Sequence, residues 1–254
     1  MSSLENLDLC WQVEAACAHA WPTLETKTVN GYEFRHSAGA ITRRNNSLNP
    51  TAQHGKFDID LLAQAGVFYD ERKKPLIVRI PAMVSTIEPV LDAAGFGPAE
   101  ALTKTLLASD LSSFEWRGDV QLSTHTTPEW LEFAANRAQW TPAGRANFLK
   151  ALQHISYPIL FAHIEEDQEL AAIAYAIVVE NIAIIESVET APKFRRQGRA
   201  AKLLSSLLAK CRSLGATKAA LQVVAQNTAA RALYQKLGFT TQLYDYHYRS
   251  KPLE

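Results

Sequence analysis

An apolar stretch that ends in a charged turn sets the plan of this chain. Ile182 to Val188 is an almost unbroken apolar run, the pattern of a strand covered on both faces. Pro192 stops it. From Ala200 the apolar positions fall at 200, 203, 204, 207, 208, 211 and 214, one face of an amphipathic helix. Gly215 stands where a C-cap glycine is expected, and Lys210 and Arg212 suit the negative end of the helix dipole. Ala219 to Val224 predicts a further strand, after which Asn227 opens a helix reaching Leu237, followed by Gly238-Phe239.

The pattern elsewhere is weaker but continuous. Ser2-x-x-Glu5 predicts a capping box for a helix to about Ala20, ended by Trp21-Pro22. Residues 24–48 predict two strands, Thr28 to His36 and Ala40 to Asn46, joined by a turn at Ser37-Ala38-Gly39. The segment TRRNNSLNP (42–50) is dense in hydrogen-bonding groups and reads as turn-forming. Asp58 to Ala65 predicts a helix, Pro75 to Ile80 a short strand, and Thr86 to Ala94 a helix ending at Gly95-Phe96, with a strand near 101–108.

Trp116 to Leu122 predicts the next strand. Thr127-Pro128 and Thr141-Pro142 each supply an N-cap and first-turn proline, the second for a helix to about His154. Strands follow at 157–164 and 170–179, and a turn at Glu180-Asn181 leads into the run at 182. Three antiparallel strands, a crossover helix, a parallel strand, a helix and a closing strand make a mixed α/β sheet. LDAAGF (91–96) and YQKLGF (234–239) repeat one device, a helix, Gly-Phe and closing strand, about 143 residues apart.

At 254 residues, with 47% hydrophobic and 20% charged residues, the composition is that of a soluble globular protein. No apolar run reaches the ~18 residues of a membrane span, and the N-terminus has no basic-then-apolar signal segment. Cys10, Cys17 and Cys211 are unevenly spaced in helix-like stretches, which fits buried apolar residues and a cytoplasmic protein. The net charge of zero divides unequally: residues 1–120 hold 11 basic and 15 acidic residues, and the rest 15 and 11. That surplus is too small and local to argue for nucleic acid.

The chemistry sits in the turn Arg195-Arg196-Gln197-Gly198-Arg199-Ala200. The first amides of a helix have no internal partner and form an anion site. Lys193, Arg195, Arg196, Arg199 and Lys202 put five cations beside it. A diphosphate ligand or a solvated basic helix start would each explain the pattern. There is no GxxxxGK[ST] and no GxGxxG. Glu186 interrupts the apolar strand, and a buried carboxylate needs either an ion-pair partner or a function as a base. Seven scattered histidines without ligand spacing predict no metal site; His125 and His154 read as incidental.

In order and spacing, strand, Arg195-x-x-Gly198-x-Ala200, helix, strand and NTAARALYQKLGF (227–239) resemble the GNAT acetyltransferase superfamily, over roughly 182–249. The resemblance implies a mixed, mostly antiparallel sheet flanked by helices in a GNAT domain at 116–254. It also implies that 1–115 is a degenerate GNAT-like lobe, since that half lacks the turn motif. The cofactor implied is acetyl-CoA, held by backbone near Val188 and Thr190 and by the turn from Arg195 to Ala201. Asn227 is a helix cap that the family also sets beside the cofactor. Tyr234, two helical turns further on, is either core or, as the resemblance implies, the acid that protonates the departing thiolate.

The reaction so implied is direct attack of a primary amine on the thioester, with a backbone donor near Val188 for the oxyanion and Glu186 as candidate base. Glu189, His163, Tyr246 and His247 are lesser acceptor-side candidates. The alternative is a module that binds acetyl-CoA or a small molecule without turnover.

Overall fold

The computed structural model describes residues 6–38 and 42–251. Helix α1 (Leu7–Ala20) is capped by Asn6, whose side chain accepts from the Leu9 amide at 2.9 Å. The expected cap, Ser2 with Glu5, lies outside the described residues. Strands β1 (Glu25–Val29) and β2 (Tyr32–His36) form a hairpin turning at Asn30 and Gly31, at φ 49° and 72°. The expected unbroken strand from Thr28 is corrected here, because Asn-Gly accepts the two left-handed conformations that a tight hairpin requires.

The strand expected over 40–46 is corrected too. Arg43–Asn45 is a short 3-10 turn, and Gly39 and Ala40 lie outside the described residues. Thr42 Oγ1 donates to Asn45 Oδ1 at 2.6 Å and Asn45 Nδ2 to the Pro22 carbonyl at 3.0 Å, so local side-chain bonds replace a strand ladder. The remaining elements of the first half are β3 (Leu48–Pro50), α2 (Ile59–Asp70), β4 (Leu76–Pro81), α3 (Glu88–Ala93) and β5 (Thr103–Ala108). The second half holds β6 (Val120–Ser123), α4 (Pro128–Ala138), α5 (Pro142–Leu152), β7 (Ile159–Glu166) and β8 (Glu169–Val179). It ends with β9 (Ile182–Thr190), α6 (Arg199–Ser213), β10 (Lys218–Val224), α7 (Thr228–Lys236) and β11 (Thr241–Lys251).

The eleven strands among the described residues join one mixed, mostly antiparallel sheet in the order β1-β2-β3-β4-β11-β5-β10-β9-β8-β7-β6. Only β3–β4 and β9–β10 are parallel neighbours among the described residues. The two closing strands change places. β5 lies between β10 and β11, and β11 lies between β5 and β4. Each follows a helix, a left-handed glycine (Gly95 at φ 74°, Gly238 at 88°) and a buried phenylalanine, Phe96 or Phe239.

Helix α6 covers one face of β6 to β9 with Leu203, Leu204, Leu207, Leu208 and Cys211. The other face packs against α1, α4 and α5 around Trp130, Phe148 and Tyr175. Trp130 is fully buried, and its indole N–H is satisfied by the Ala162 carbonyl at 3.1 Å. Truncating it to alanine would cost about 3–5 kcal/mol. A third core joins α2 to Tyr32, Phe34, Val78 and Ile80.

Candidate active site

β9 and β10 pair in parallel from Ile182 and Lys218 to Ile185 and Leu221. Beyond that point β9 stays with β8 and β10 with β5, so the two carboxyl ends part. A crevice past the carboxyl ends of parallel strands is where open α/β sheets take ligands. β9 is also bulged there. Its pairing passes from Tyr175–Glu186 to Ile173–Glu189, leaving Ser187 and Val188 opposite Ala174 alone, and Ser187 takes φ 52°. A bulge leaves one residue out of the ladder. Val188 and Thr190 are therefore on the bulged, half-buried end of β9.

The turn that follows has the form expected of an anion site. Arg196 and Gly198 stand at φ 59° and 79°, and Gly198 is the N-cap of α6 with no side-chain cap bond. The amides of Arg199, Ala200 and Ala201 are left for an external acceptor. A Cβ built on Gly198 meets nothing within 4 Å, so the space before the helix is open. The five cations are not equivalent. Arg199 is held by Glu166 at 2.5 and 2.7 Å, Lys193 by Glu169 at 2.6 Å, and Lys202 by Asp119. Arg195 donates to the Thr190 carbonyl at 3.2 Å, and Gln197 to the Lys193 carbonyl at 2.8 Å. Arg195 and Arg196 have no carboxylate partner among the described residues, so theirs is the charge left for a ligand.

Asn227 caps α7, accepting from the Ala230 amide at 3.1 Å. Tyr234 is 7% exposed and meets Phe239 edge-on, ring centres 6.0 Å apart. Burial pushes its phenol up from the ordinary value, and the charges of Glu186 and Glu189 push it further, so the hydroxyl stays protonated. That hydroxyl has no hydrogen bond among the described residues.

Glu186 is 6% exposed and has a partner, since Arg44 Nη1 donates to its Oε1 at 2.7 Å. Burial works against the Arg44 charge, but Glu186 with Tyr246 and Tyr248 together outweigh it and raise the guanidinium pKa. Arg44 belongs to TRRNNSLNP, and its guanidinium lies 5.6 Å from the Trp21 ring centre. The lesser candidates are scattered. Glu189 is 3.5 Å from Arg137, His247 is 2.7 Å from Glu88, His163 is on β7, two strands from β9, and Tyr246 lies under Arg79. Among the described residues no group of three His, Cys, Asp or Glu side chains is placed to hold a metal ion.

Arg44 and a buried network beside it are what sequence reasoning missed. Arg79, 4% exposed, donates to Glu14 at 2.7 and 2.8 Å, and Tyr244 donates to the same carboxylate at 2.5 Å. Burial works against the Glu14 charge, yet Arg79 holds the carboxyl below its ordinary range. The signals were Glu14 within the apolar face of α1 and Arg79 within LIVRIP (76–81). A cavity of about 510 Å³ adjoins them, with Trp21, Arg35, Arg44 and Gln222 in its wall. Gln222 is the first β10 residue past the last pair with β9, so this cavity reaches the crevice.

A mixed sheet parted between two parallel strands, with a glycine turn and helix start at the parting, is the architecture of the GNAT acetyltransferases. The chain belongs to the family described as "Probable histone acetyltransferase Rv0428c C-terminal", whose model matches residues 10–249. It is similar to an uncharacterized N-acetyltransferase, YobR, of Bacillus subtilis (strain 168), at 22% identity over 94% of this chain and 98% of that one. Its fold is similar to a GCN5-related N-acetyltransferase from Kribbella flavida, with TM-score 0.67 and 17% identity over 98% and 97% of the two chains. A tandem GNAT protein from the clavulanic acid biosynthesis pathway gives TM-score 0.66 and 11% identity over 95% and 89%. No helix among the described residues is long and apolar enough to cross a membrane.

Proposed function

We propose that this chain moves the acetyl group of acetyl-CoA to a primary amine by direct attack. The observation that carries the reading is the parting of β9 and β10 immediately before a helix start with open amides. Acetyl-CoA supplies an activated thioester. The turn from Arg195 to Ala201 takes its diphosphate, and the bulged backbone near Val188 and Thr190 lies along it, with Asn227 beside it. The amine nitrogen bonds the acetyl carbon as the carbon–sulfur bond breaks, its electron pair leaving with sulfur. A backbone donor at the Val188 bulge stabilises the oxyanion. Glu186 takes the amine's proton, directly or through water, and Tyr234 returns a proton to the thiolate.

In this reading residues 1–115 are a degenerate copy of the second half and hold no cofactor of their own. The matching helix, glycine, phenylalanine and strand before β5 and β11 support it, as does the missing turn motif. The free, buried Cys10, Cys17 and Cys211 fit a reducing cytoplasm. The test is an amine screen following free-thiol release, with calorimetry of acetyl-CoA. Tight binding with no thiol release from any amine would favour a sensor over an enzyme.

A further inference from the structure

The cavity of about 510 Å³ beside α1 has its charges paired and its donors in surplus. Arg35, Arg44 and Arg79 line it, and the carboxylates around it are already engaged. Glu14 is held by Arg79 and Tyr244, Glu33 by Arg35 at 2.7 and 2.9 Å, and Glu186, which is not part of the lining, by Arg44. What lacks a partner is donors. Trp21 Nε1 and Gln222 Nε2 are shielded from solvent with no hydrogen-bond partner, and both residues line the cavity. Arg44 commits Nη1 to Glu186, and its other N–H groups have no acceptor among the described residues. A buried donor without an acceptor calls for one from outside.

Resting on the acetyltransferase reading above, we propose that the acceptor is a small zwitterionic amine, an α-amino acid or close derivative. Its carboxylate is taken by Arg44 beside Trp21. The guanidinium fork matches a carboxylate in plane and charge. Arg44 also bonds Glu186, so a carboxylate on Arg44 sits next to the candidate base, and the short carboxylate-to-amine separation of an α-amino acid suits that nearness. A polyamine or lysine-rich tail would find no free carboxylate there, since Glu14, Glu33 and Glu186 are each held by an arginine.

The test offers the wild-type protein and acetyl-CoA the common α-amino acids, their α-amides, spermidine and a lysine-rich peptide, following thiol release. Calorimetry measures binding of the same amino acids without acetyl-CoA. At least one amino acid is expected to be accepted, with its amide poorer in kcat/KM by about tenfold or more. Trp21→Phe keeps an aromatic ring and removes the donor, and should raise KM for the acid about fivefold and for the amide, a weaker acceptor, by less. Arg44→Gln also unpairs Glu186 and so lowers turnover of every amine, but it should raise KM for the acid about tenfold to a hundredfold more than KM for the amide.

Thiol release with spermidine or the peptide, and no response to any amino acid, overturns the inference and leaves the enzyme standing. Amino-acid binding abolished by Arg44→Gln, without turnover of any amine, supports the pocket and sinks the enzyme reading. A protein that neither binds nor acetylates any amino acid overturns the proposal.

Discussion

Arg44 Nη1 meets Glu186 Oε1 at 2.7 Å, joining residues 142 apart in the chain across the edge of the parted strands. The first half of the molecule thus reaches the candidate base of the second. Glu186→Gln should move the pH–rate profile upward, because an amide takes no proton and the reaction then waits for amine that has lost its own. It also leaves Arg44 facing a neutral group. The double variant Arg44→Gln/Glu186→Gln should regain stability without regaining the profile. An unchanged profile with a lowered Tm would give Glu186 a purely structural role.

Tyr234→Phe keeps the ring against Phe239 and removes the proposed donor. General acids contribute about 10²–10⁴-fold, so kcat should fall by that order with acetyl-CoA affinity little changed. Burial and two carboxylates raise the phenol pKa, so this loss should be uniform across neutral pH. Wild-type turnover with chemistry rate-limiting would remove the role.

The strand, turn and helix from Ile182 to Ser213 were legible because their signals are local: an apolar run, a proline, a glycine and a 3.6-residue period. The Arg44–Glu186 pair was not, since nothing near either residue names a partner so distant in sequence. Sequence presented Glu186 as a lone carboxylate and TRRNNSLNP as a polar turn, and only the folded chain brings them together. The exchange of β5 and β11 was hidden for the same reason. Each strand's own pattern fits a sheet edge or a centre equally, and pairing is decided by the rest of the sheet. The Asn30-Gly31 turn carries its signal locally, as two residues that accept positive φ, so it is legible where the partner of Glu186 is not.

Gly198→Val should weaken acetyl-CoA binding while leaving the fold near intact. The residue stands at φ 79°, where a side chain costs about 1–2 kcal/mol, and its added atoms would enter the open space before α6. Gly198→Ala carries a similar backbone cost with less intrusion and should fall between. Calorimetry on the folded variants decides it; unchanged affinity in Gly198→Val would remove the diphosphate assignment.

Acid should loosen the fold through Glu14. Its carboxyl pKa in the folded protein lies below the ordinary 4.5, because Arg79 and its hydrogen bonds outweigh burial. The unfolded chain therefore binds that proton more readily. The stability this supplies is complete above the ordinary value and is lost as pH falls through the folded one. Urea midpoints followed downward from neutral pH should fall in that window. Glu14→Gln, which leaves buried Arg79 unpaired, should cost about 3–5 kcal/mol near neutral pH and flatten the acid slope. Parallel slopes in the two proteins would show that other carboxylates dominate.

The exchanged strands predict that the second half does not fold alone. β5 pairs with β10 from Thr103–Val224 to Ala108–Ala219, and on its other side with β11 from Thr103–Tyr246 to Leu107–Thr241. A fragment of 121–254 loses β5 from between these strands and also loses β4 from the far side of β11. β11 then has no neighbour on either side, and β10 presents a bare edge. Loss of α1 would also uncover part of the apolar face around Tyr175 and Ile184. An unpaired edge beside an uncovered apolar face favours association with other chains. The fragment should therefore be recovered largely as aggregate, and co-expression with 1–120 as a separate chain should return it to solution. A soluble monomer of 121–254 with a cooperative thermal transition would show that β5 is dispensable to that half.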